Sequence, residues 1–218
     1  MVRFEDRISG AGELVPKLAK YKGKPDAVVV GLPRGGMITA NYLSEKLNLP
    51  LDFIIVKKVG ALGKDELAIG AVTEKGDTYF DEDFARLVEV DIQYRKDETE
   101  KKKNEVNERA NLYRKSYPGL DLKNKTVILV DDGIATGTTM IAAIYATKKT
   151  GAKELVVAVP VASTDATKKL KKLGVELITP EVDPHMSSVG EFYNNFPQVE
   201  DREVLTILEN AKNNISNK

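Results

Sequence analysis

The chain has 218 residues, 42% of them hydrophobic and 30% charged, and this composition predicts a single globular domain over residues 1–218. Its 33 basic and 33 acidic residues balance, which excludes a strong overall field that would attract nucleic acid or an anionic membrane. Cysteine is missing, so disulfides, thiol catalysis and cysteine zinc sites are excluded. No apolar run approaches the roughly 18 residues of a membrane span, and "MVRFEDRISG" lacks the apolar core of a signal peptide. A cytoplasmic protein is therefore expected.

The first part of the chain alternates predicted helices and strands. Apolar residues spaced four and three positions apart predict a short helix at 11–18. The β-branched run "DAVVVGL" at 26–32 predicts a strand buried on both faces, as in a parallel sheet. A helix is expected within 33–50, ending before its final proline, and "LDFIIVKKVG" at 51–60 predicts a second buried strand.

In the next segment apolar residues become sparse. Two short apolar runs flank a turn at 74–77, which predicts a hairpin. From 83 to 114 the chain is highly charged, and only Val106, Ala110 and Tyr113 form an apolar stripe. We therefore expect a charged helical arm with a mostly solvated face.

The alternation of strands and helices returns after residue 118. Ser163 is expected to cap a helix that ends before Gly174, and Asp201 to cap the final helix. The other elements expected here are strands at 127–130, 155–159 and 175–179 and a helix at 138–149. This alternation predicts an α/β fold, with an open, mainly parallel sheet and helices on both faces.

Two glycine-rich turns follow predicted strands, at the edge where open α/β sheets bind their ligands. In "VVVGLPRGG" the glycines let the backbone approach a ligand, and Arg34 offers a fork of donors suited to phosphate. In "VDDGIATGTT" Gly137 also permits a close approach, and threonine hydroxyls join the N–H groups of a helix start. Each turn alone also fits a plain structural turn, and neither is a standard nucleotide motif. Two such turns at one sheet edge predict a single ligand with two separate phosphate groups.

Two adjacent carboxylates, Asp131 and Asp132, directly precede the second turn. Like charges about 6 Å apart cost about 3 kcal/mol at an effective dielectric of 20, so a phosphate is poorly tolerated beside them unless something intervenes. A vicinal diol meets this requirement, because carboxylates accept hydrogen bonds from its hydroxyls and the diol separates the charges; a bridging Mg²⁺ would help further. The alternative is a pair that only caps the helix. We favour a ligand with a central diol and a phosphate at each end.

The stretch "VILVDDGIATGTT" resembles the phosphoribosyl pyrophosphate (PRPP) signature of the type I phosphoribosyltransferases: hydrophobic residues, two acidic residues, a short spacer and a Thr/Gly loop. The segments "FEDRISGAGELVPKL", "VVGLPRGGMITA", "ELAIGAV" and "FYNNF" are similar to a broad, poorly defined group of these proteins, so the resemblance covers most of the chain. It implies a transferase that moves the 5-phosphoribosyl group from PRPP to a nitrogenous base and releases pyrophosphate. It also implies nucleotide salvage, Mg²⁺ carried by PRPP near the acidic pair rather than by direct protein ligands, and, with the exposed arm, a homodimer.

The resemblance implies roles for individual residues. Asp131 and Asp132 would bind the ribose 2- and 3-hydroxyls, with the 5-phosphate on the turn that follows them. The pyrophosphate would lie on the first turn. Members of this family often have a non-proline cis peptide there, so we expect a cis bond at Leu32–Pro33 or Pro33–Arg34. Lys57 or Lys58 would reach the pyrophosphate; the alternative is that both only face solvent. The residues implied to bind PRPP are Leu32, Pro33, Arg34, Gly35, Gly36, Lys57, Lys58, Asp131, Asp132, Gly133, Ala135, Thr136, Gly137, Thr138 and Thr139.

A lid that excludes water during transfer is expected at 60–70, whose glycines could act as hinges and which supplies Lys64 as a catalytic residue alongside the acidic pair. Together with the charged helix it forms a lid and arm at about 60–118. The lid lacks the Ser-Tyr pair of hypoxanthine-guanine enzymes and the histidine of orotate enzymes. Its loose likeness to adenine and xanthine enzymes favours a purine, but the acceptor base is not identified.

The acceptor would lie under a hood at about 179–200. There His185 could act as a general base or hydrogen-bond donor, and Phe192 and Tyr193 could stack on the base. The alternatives are an exposed or structural histidine and aromatic rings that anchor the segment to the core.

Two other functions fit the same residues. One is a non-catalytic regulator that binds PRPP; such regulators carry a separate DNA-binding segment, and the stretch before the first strand is short and the chain has no basic surplus. The other is a hydrolase, or a different transferase, that acts on a phosphorylated ribose.

Overall fold

The computed structural model describes residues 3–62 and 64–216, without the side chains of 64–67, 84 and 214–216. In chain order its elements are α1 (Arg7–Leu14), β1 (Ala27–Gly31), α2 (Gly35–Leu47), β2 (Leu51–Phe53), β3 (Val56–Ala61), β4 (Lys64–Thr73), β5 (Thr78–Phe80), α3 (Glu82–Leu87), α4 (Ile92–Arg114), β6 (Thr126–Val130), α5 (Thr138–Lys149), β7 (Glu154–Ala158), β8 (Val161–Ser163), α6 (Thr164–Lys172), β9 (Glu176–Ile178), β10 (Glu181–Asp183) and α7 (Asp201–Ser216), with 3₁₀ turns at Pro16–Tyr21 and Val189–Phe192.

Five parallel strands form the central sheet, in the order β2-β1-β6-β7-β9. Every residue of β1 and β6 is buried, which explains why both strands read as continuous apolar runs. Helices α1, α2, α4 and α7 and the first 3₁₀ turn pack near one face of the sheet, while α5 and α6 cover the other. The predicted fold class, a mainly parallel α/β sheet covered on both faces, is confirmed.

The register of the sheet brings the two glycine-rich turns together. Strands β1 and β6 are parallel neighbours, and Gly31 at the end of β1 lies opposite Val130 at the end of β6. The turn at 32–36 and the acidic pair therefore leave the sheet side by side, at the edge where the carboxyl ends of the strands meet.

The segment predicted as one strand at 51–60 is divided in two. Its first part, β2, is the outer strand of the parallel sheet, and its second part, β3, starts an antiparallel sheet in the order β3-β4-β5. The predicted hairpin at 74–77 is confirmed as the connection between β4 and β5. An unbroken apolar run does not indicate which sheet each residue joins, so the break at 54–55 was missed.

The charged segment forms α3 and the 23-residue helix α4, as expected for a helical arm. Helix α4 buries the predicted stripe of Val106, Ala110 and Tyr113, and also Thr99. Most of its remaining side chains are partly or fully exposed, so the arm docks through a narrow face.

A buried ion cluster fastens the end of this arm to both sheets. Arg114 donates to Asp52 Oδ1 at 2.6 Å and to Glu74 Oε1 at 2.7 Å. Its guanidinium lies 3.7 Å from the centre of the Phe53 ring and also donates to the Phe53 carbonyl. One arginine thus links the parallel sheet, the hairpin and the arm.

Of the two predicted helix caps, Ser163 is confirmed and Asp201 is not. Ser163 caps α6 as expected, with its Oγ accepting the N–H of Ala166 at 3.0 Å. Asp201 is the first residue of α7 rather than the residue before it, and its carboxylate accepts the hydroxyl of Tyr113. Within the described ranges, no helix combines the length and apolar character that crossing a bilayer requires.

Candidate functional site

The acidic pair is fixed from three sides. Asp131 Oδ1 accepts the main-chain N–H of Asp132 at 2.9 Å. Asp132 Oδ2 accepts the Nε of Arg7 at 2.7 Å, and the Tyr193 hydroxyl donates to the Asp132 carbonyl at 2.6 Å. Residues from both ends of the chain therefore hold Asp132, Arg7 through its carboxylate and Tyr193 through its main chain, while the Asp131 carboxylate is held by its neighbour.

Burial sets the electrostatics of this pair. It raises the pKa of Asp131 well above its ordinary value, and the neighbouring charge of Asp132 raises it further. Burial also raises the pKa of Asp132, but the hydrogen bond and the charge of Arg7 act in the opposite direction. Asp132 is thus the compensated member of the pair, and ionised Asp131 is held at a cost in stability.

The first glycine turn packs directly against the acidic pair, and its Pro33–Arg34 peptide is cis. A Cβ on Gly35 would lie 2.0 Å from Asp132 Oδ2, and one on Gly36 would lie 2.7 Å from Asp131 Oδ1. The glycines were expected to let the backbone approach a ligand. In the structure they let it approach the two carboxylates, so the turn and the pair form one unit.

Lys57 lies on β3 beside the arm, and Arg34 is half-buried in the first turn. Burial and then the hydrogen bond to Asp201 raise the pKa of Tyr113 on the arm. Lys57 Nζ pairs with Glu105 Oε2 at 3.0 Å. A cleft of about 350 Å³ lies here, lined by Lys57, Glu105, Glu108, Arg109, Leu112 and Asp201.

The segment predicted as a lid loop is a β-hairpin. Strands β3 and β4 pair through 56–61 and 64–73, with Ala61 opposite Lys64, so the expected loop at 60–70 is mostly strand. The side chain of Lys64 lies outside the described residues, and its catalytic role stays a prediction. Lys58 is half-buried on β3, adjacent to Lys57.

The last residue of β8, Ser163, holds the second turn in place. Ser163 Oγ donates to the Ala135 carbonyl at 2.6 Å, while Gly137 precedes α5 with a φ of 83°, which favours glycine. The hydroxyls of Thr136 and Thr138 are 3.4 Å apart. Of the residues implied to bind PRPP in the two turns, Leu32, Gly36, Gly133, Gly137 and Thr138 are buried, Pro33, Arg34, Gly35, Asp131, Asp132, Ala135 and Thr139 are half-buried, and Thr136 is exposed.

The hood differs from the prediction in its aromatic residues. Phe192 and Tyr193 are only 4% and 5% exposed. The Tyr193 ring lies between Phe4, with centroids 5.4 Å apart, and Phe196, stacked at 4.9 Å. Their burial does not support stacking on a base, and it fits the alternative that both rings anchor the hood to the core.

His185 is exposed in the loop after β10, where its main-chain N–H donates to Asp183 Oδ1 at 2.6 Å. Among the residues that the structure describes, no contact joins it to the acidic pair. Its role as a base or donor is not supported by its placement.

Sequence reasoning missed Arg7. Its guanidinium lies 3.6 Å from the centre of the Phe196 ring and donates to the Pro197 carbonyl at 2.9 Å. A signal was available, because Arg7 is four residues before Ala11 and thus continues the apolar stripe of the first helix. A charge on the buried side of a helix requires a partner in the interior.

The described residues contain no group of three or more histidine, aspartate or glutamate side chains able to hold a metal ion. The acidic pair offers two carboxylates. Mg²⁺ is commonly held by one or two carboxylates together with substrate phosphates and water. Two carboxylates are therefore compatible with a magnesium ion carried mainly by a phosphorylated ligand, and that role stays a prediction.

The parallel sheet, with an acidic pair between two glycine-rich turns at one edge, defines an α/β domain with a candidate ligand-binding edge. The chain belongs to the phosphoribosyl transferase domain family, whose sequence profile matches residues 7–193, and the predicted family is confirmed.

Several known proteins are similar to this chain in sequence or structure. An inferred phosphoribosyl transferase of Mycobacterium tuberculosis (strain H37Rv) is 34% identical over 211 residues, which cover 97% of this chain and 47% of that protein. The chain thus spans about half the length of this curated relative. A protein from Thermus thermophilus with a known crystal structure is 37% identical to this chain in sequence. The two structures align with a TM-score of 0.81 over 96% of this chain and 99% of that one. Uracil phosphoribosyltransferase of Acinetobacter baylyi is 34% identical over 88 residues, 39% of this chain and 41% of that protein.

Proposed function

We propose that this protein transfers the 5-phosphoribosyl group of PRPP to a nitrogenous base and releases pyrophosphate. The observation that supports this most is the position of Asp131 and Asp132 between two glycine-rich turns that leave neighbouring strands, β1 and β6. PRPP has a vicinal diol between a monophosphate and a pyrophosphate. A pair of hydrogen-bond acceptors between two anion cradles matches that order of groups.

The ribose would bind carboxylate oxygens other than those that already accept hydrogen bonds from the protein. Asp131 Oδ1 and Asp132 Oδ2 already accept hydrogen bonds from the protein, so the ribose hydroxyls would donate to the other oxygen of each carboxylate. The 5-phosphate would lie at the start of α5, whose first N–H groups point out of the helix. The pyrophosphate would lie on the turn at 32–36, near Arg34. Lys57 would reach it only after leaving Glu105.

Catalysis of this transfer requires mainly that the reactants are oriented and that the developing charges are stabilised. As the nitrogen of the base approaches the anomeric carbon and pyrophosphate leaves, positive charge develops on the sugar, and the nearby carboxylates stabilise it. Arg34 and a lysine would stabilise the departing negative charge. Bound Mg²⁺ would neutralise part of the pyrophosphate charge. The hairpin of β3 and β4 would limit access of water, so that the base rather than water attacks.

The decisive experiment measures pyrophosphate release from PRPP and Mg²⁺ with a panel of nucleobases. We expect release with one base or one class of base, and a loss of about 100-fold or more in Asp131→Asn and Asp132→Asn, since transition-state charge stabilisers are worth this much. Asp26→Asn is the matched control, because Asp26 lies at the opposite end of β1 and pairs only loosely with Lys153 at 3.7 Å. Release without any base would indicate a hydrolase, and binding without release would indicate a regulator.

A binding assay separates these outcomes from a failure of the fold. PRPP at about 100 times its dissociation constant adds about 2.7 kcal/mol to the free energy of unfolding. For a domain of this size, that raises the melting temperature by roughly 5–10 °C. The shift should persist in Asp26→Asn and be mostly lost in Asp132→Asn and Arg34→Ala. A double variant of Asp132 and Arg34 that still shifts fully would refute the site.

The proposal includes a homodimer that acts in nucleotide salvage in the cytoplasm, with a purine favoured as acceptor. Leu87 and Ile92, at the junction of α3 and α4, are 77% and 73% exposed, which supports association through the arm. Sedimentation should give a dimer that Ile92→Lys weakens. A monomer at every concentration would contradict it.

A further inference from the structure

Arg7 stands at the end of a column of packed aromatic side chains. Phe4 packs against Tyr193 in a tilted contact, Tyr193 stacks on Phe196, and the Arg7 guanidinium lies on the Phe196 ring at 3.6 Å. The column joins the N-terminal segment to the hood. Its last member, Arg7, reaches Asp132, 125 positions away in the sequence.

The guanidinium is held by independent contacts. Its Nε donates to Asp132 Oδ2 at 2.7 Å and its Nη1 to the Pro197 carbonyl at 2.9 Å, while its flat face rests on Phe196. The side chain is only 9% exposed, and that of Asp132 is 13% exposed. Solvent therefore screens this ion pair much less than a surface pair. A planar donor with both its face and its edge fixed is already oriented before any ligand arrives.

The ion pair between Arg7 and Asp132 reduces the repulsion between negative charges in the site. Two buried carboxylates beside two anion cradles would repel the phosphates of a ligand and each other. Arg7 cancels one of these charges and leaves the second oxygen of Asp132 for a hydroxyl. No other cation has a salt bridge to Asp131 or Asp132 among the described residues.

We propose that Arg7 is a positioning residue for the acidic pair: it orients the Asp132 carboxylate toward a sugar hydroxyl and lowers the negative charge that a phosphorylated sugar meets. This inference rests on the proposed function and extends it. Arg7 does not touch the ligand; it acts through Asp132, and the aromatic column keeps it in place. The hood therefore supports the sugar site as well as covering the acceptor.

The test measures the affinity of ribose 5-phosphate, and of PRPP with Mg²⁺, by calorimetry. Arg7→Met should weaken both ligands by about 10- to 100-fold, the range of a hydrogen bond to a charged group. Arg3→Met is the matched control: Arg3 is also an N-terminal arginine with two carboxylate partners, Glu13 and Glu181, but is 45% exposed and does not touch the pair. It should bind like the wild type.

A double-mutant cycle distinguishes positioning from a general structural role. If Arg7 acts through Asp132, Arg7→Met should weaken binding much less in an Asp132→Asn background than alone. Equal weakening in both backgrounds would overturn the proposal. Arg7→Lys should restore part of the affinity, because it keeps the charge but not the planar fork. The pH needed for half-maximal binding should also rise in Arg7→Met, because the group that lowers the pKa of Asp132 is gone.

Two further results decide the remaining cases. If Arg7→Met is unfolded, Phe196→Leu removes only the ring beneath the guanidinium and should still weaken ribose 5-phosphate several-fold; unchanged affinity would overturn the proposal. A wild-type protein that binds neither ligand would overturn the proposed function, and this inference with it. A wild type that binds both ligands, with Arg7→Met binding equally well, would overturn the role of Arg7 alone.

Discussion

Replacing Gly36 with alanine tests whether the turn and the acidic pair form one unit. A Cβ at this position would lie 2.9 Å from Asp131 Cα and 3.0 Å from the Val130 carbonyl oxygen, as well as 2.7 Å from Asp131 Oδ1. The first two are main-chain atoms at the end of a central strand. They cannot rotate away as the end of a side chain can, so the turn itself must move.

The expected cost is that of overpacking a well-ordered interior, about 1–3 kcal/mol. In a domain of this size each kcal/mol shifts the melting temperature by about 2–4 °C, which gives a fall of roughly 2–12 °C for Gly36→Ala. Gly12→Ala is the matched control in α1, where a Cβ would meet only the Tyr42 hydroxyl, at 3.9 Å. Alanine is favoured over glycine there by about 0.5–1 kcal/mol, so this variant should melt slightly higher.

Gly35→Ala should separate stability from binding. Its Cβ would lie 2.0 Å from Asp132 Oδ2 and 3.2 Å from Arg7 Nε, both of which belong to side chains. The carboxylate can swing aside, so Gly35→Ala should lose less stability than Gly36→Ala but more affinity for ribose 5-phosphate. Thermal melts and calorimetry on the three variants measure both quantities. A Gly36→Ala variant that melts at or above the wild type, or a Gly35→Ala variant with intact affinity, would refute the reasoning.

Three other changes have defined outcomes. Burial raises the pKa of Asp131, so below the unfolded value of about 3.9 both states are protonated, and above it the ionisation of Asp131 costs the folded state stability. Asp131→Asn should therefore melt above the wild type at neutral pH and equally with it near pH 3; a lower melting temperature at neutral pH would contradict this. Arg114→Met should lose about 3–5 kcal/mol in urea unfolding, because Asp52 and Glu74 lose the guanidinium that they share; a loss below that of an ordinary surface substitution would show that the cluster is not structural. Ser163→Ala should lose about 1 kcal/mol with its helix cap, measured in the same way, and no loss would refute the capping role.

The fold was predictable where local pattern and tertiary structure agree. The apolar runs of β1 and β6 indicate strands covered on both faces, and the sheet buries every residue of both. Helix α5 begins and ends at the predicted residues, 138 and 149, because a positive-φ glycine precedes it and another follows at position 151. The junction of β2 and β3 was not predictable, since two adjacent apolar strands carry no mark of the sheets that they join.

The site was predictable only as far as its contacts are local. The acidic pair and both turns can be read from short segments that combine glycine, threonine and carboxylates. Arg7 and the aromatic column cannot, because they depend on contacts between the two ends of the chain. For the same reason the sequence leaves two roles open for Phe192 and Tyr193, because composition cannot distinguish a ring that stacks on a ligand from one that stacks on another ring.

The contacts of Arg7 also give the two carboxylates different properties. Asp132 has a guanidinium partner, whereas Asp131 accepts a main-chain N–H and retains the greater cost of ionisation. A ligand gains most by bringing a hydroxyl to Asp131, since that hydrogen bond offsets a charge that the protein leaves uncompensated. Its phosphates gain by staying on the turns on either side, where glycine main chain and helix N–H groups face them. The proposed ligand, a doubly phosphorylated ribose, fits this division of charge because its diol lies between its phosphate groups.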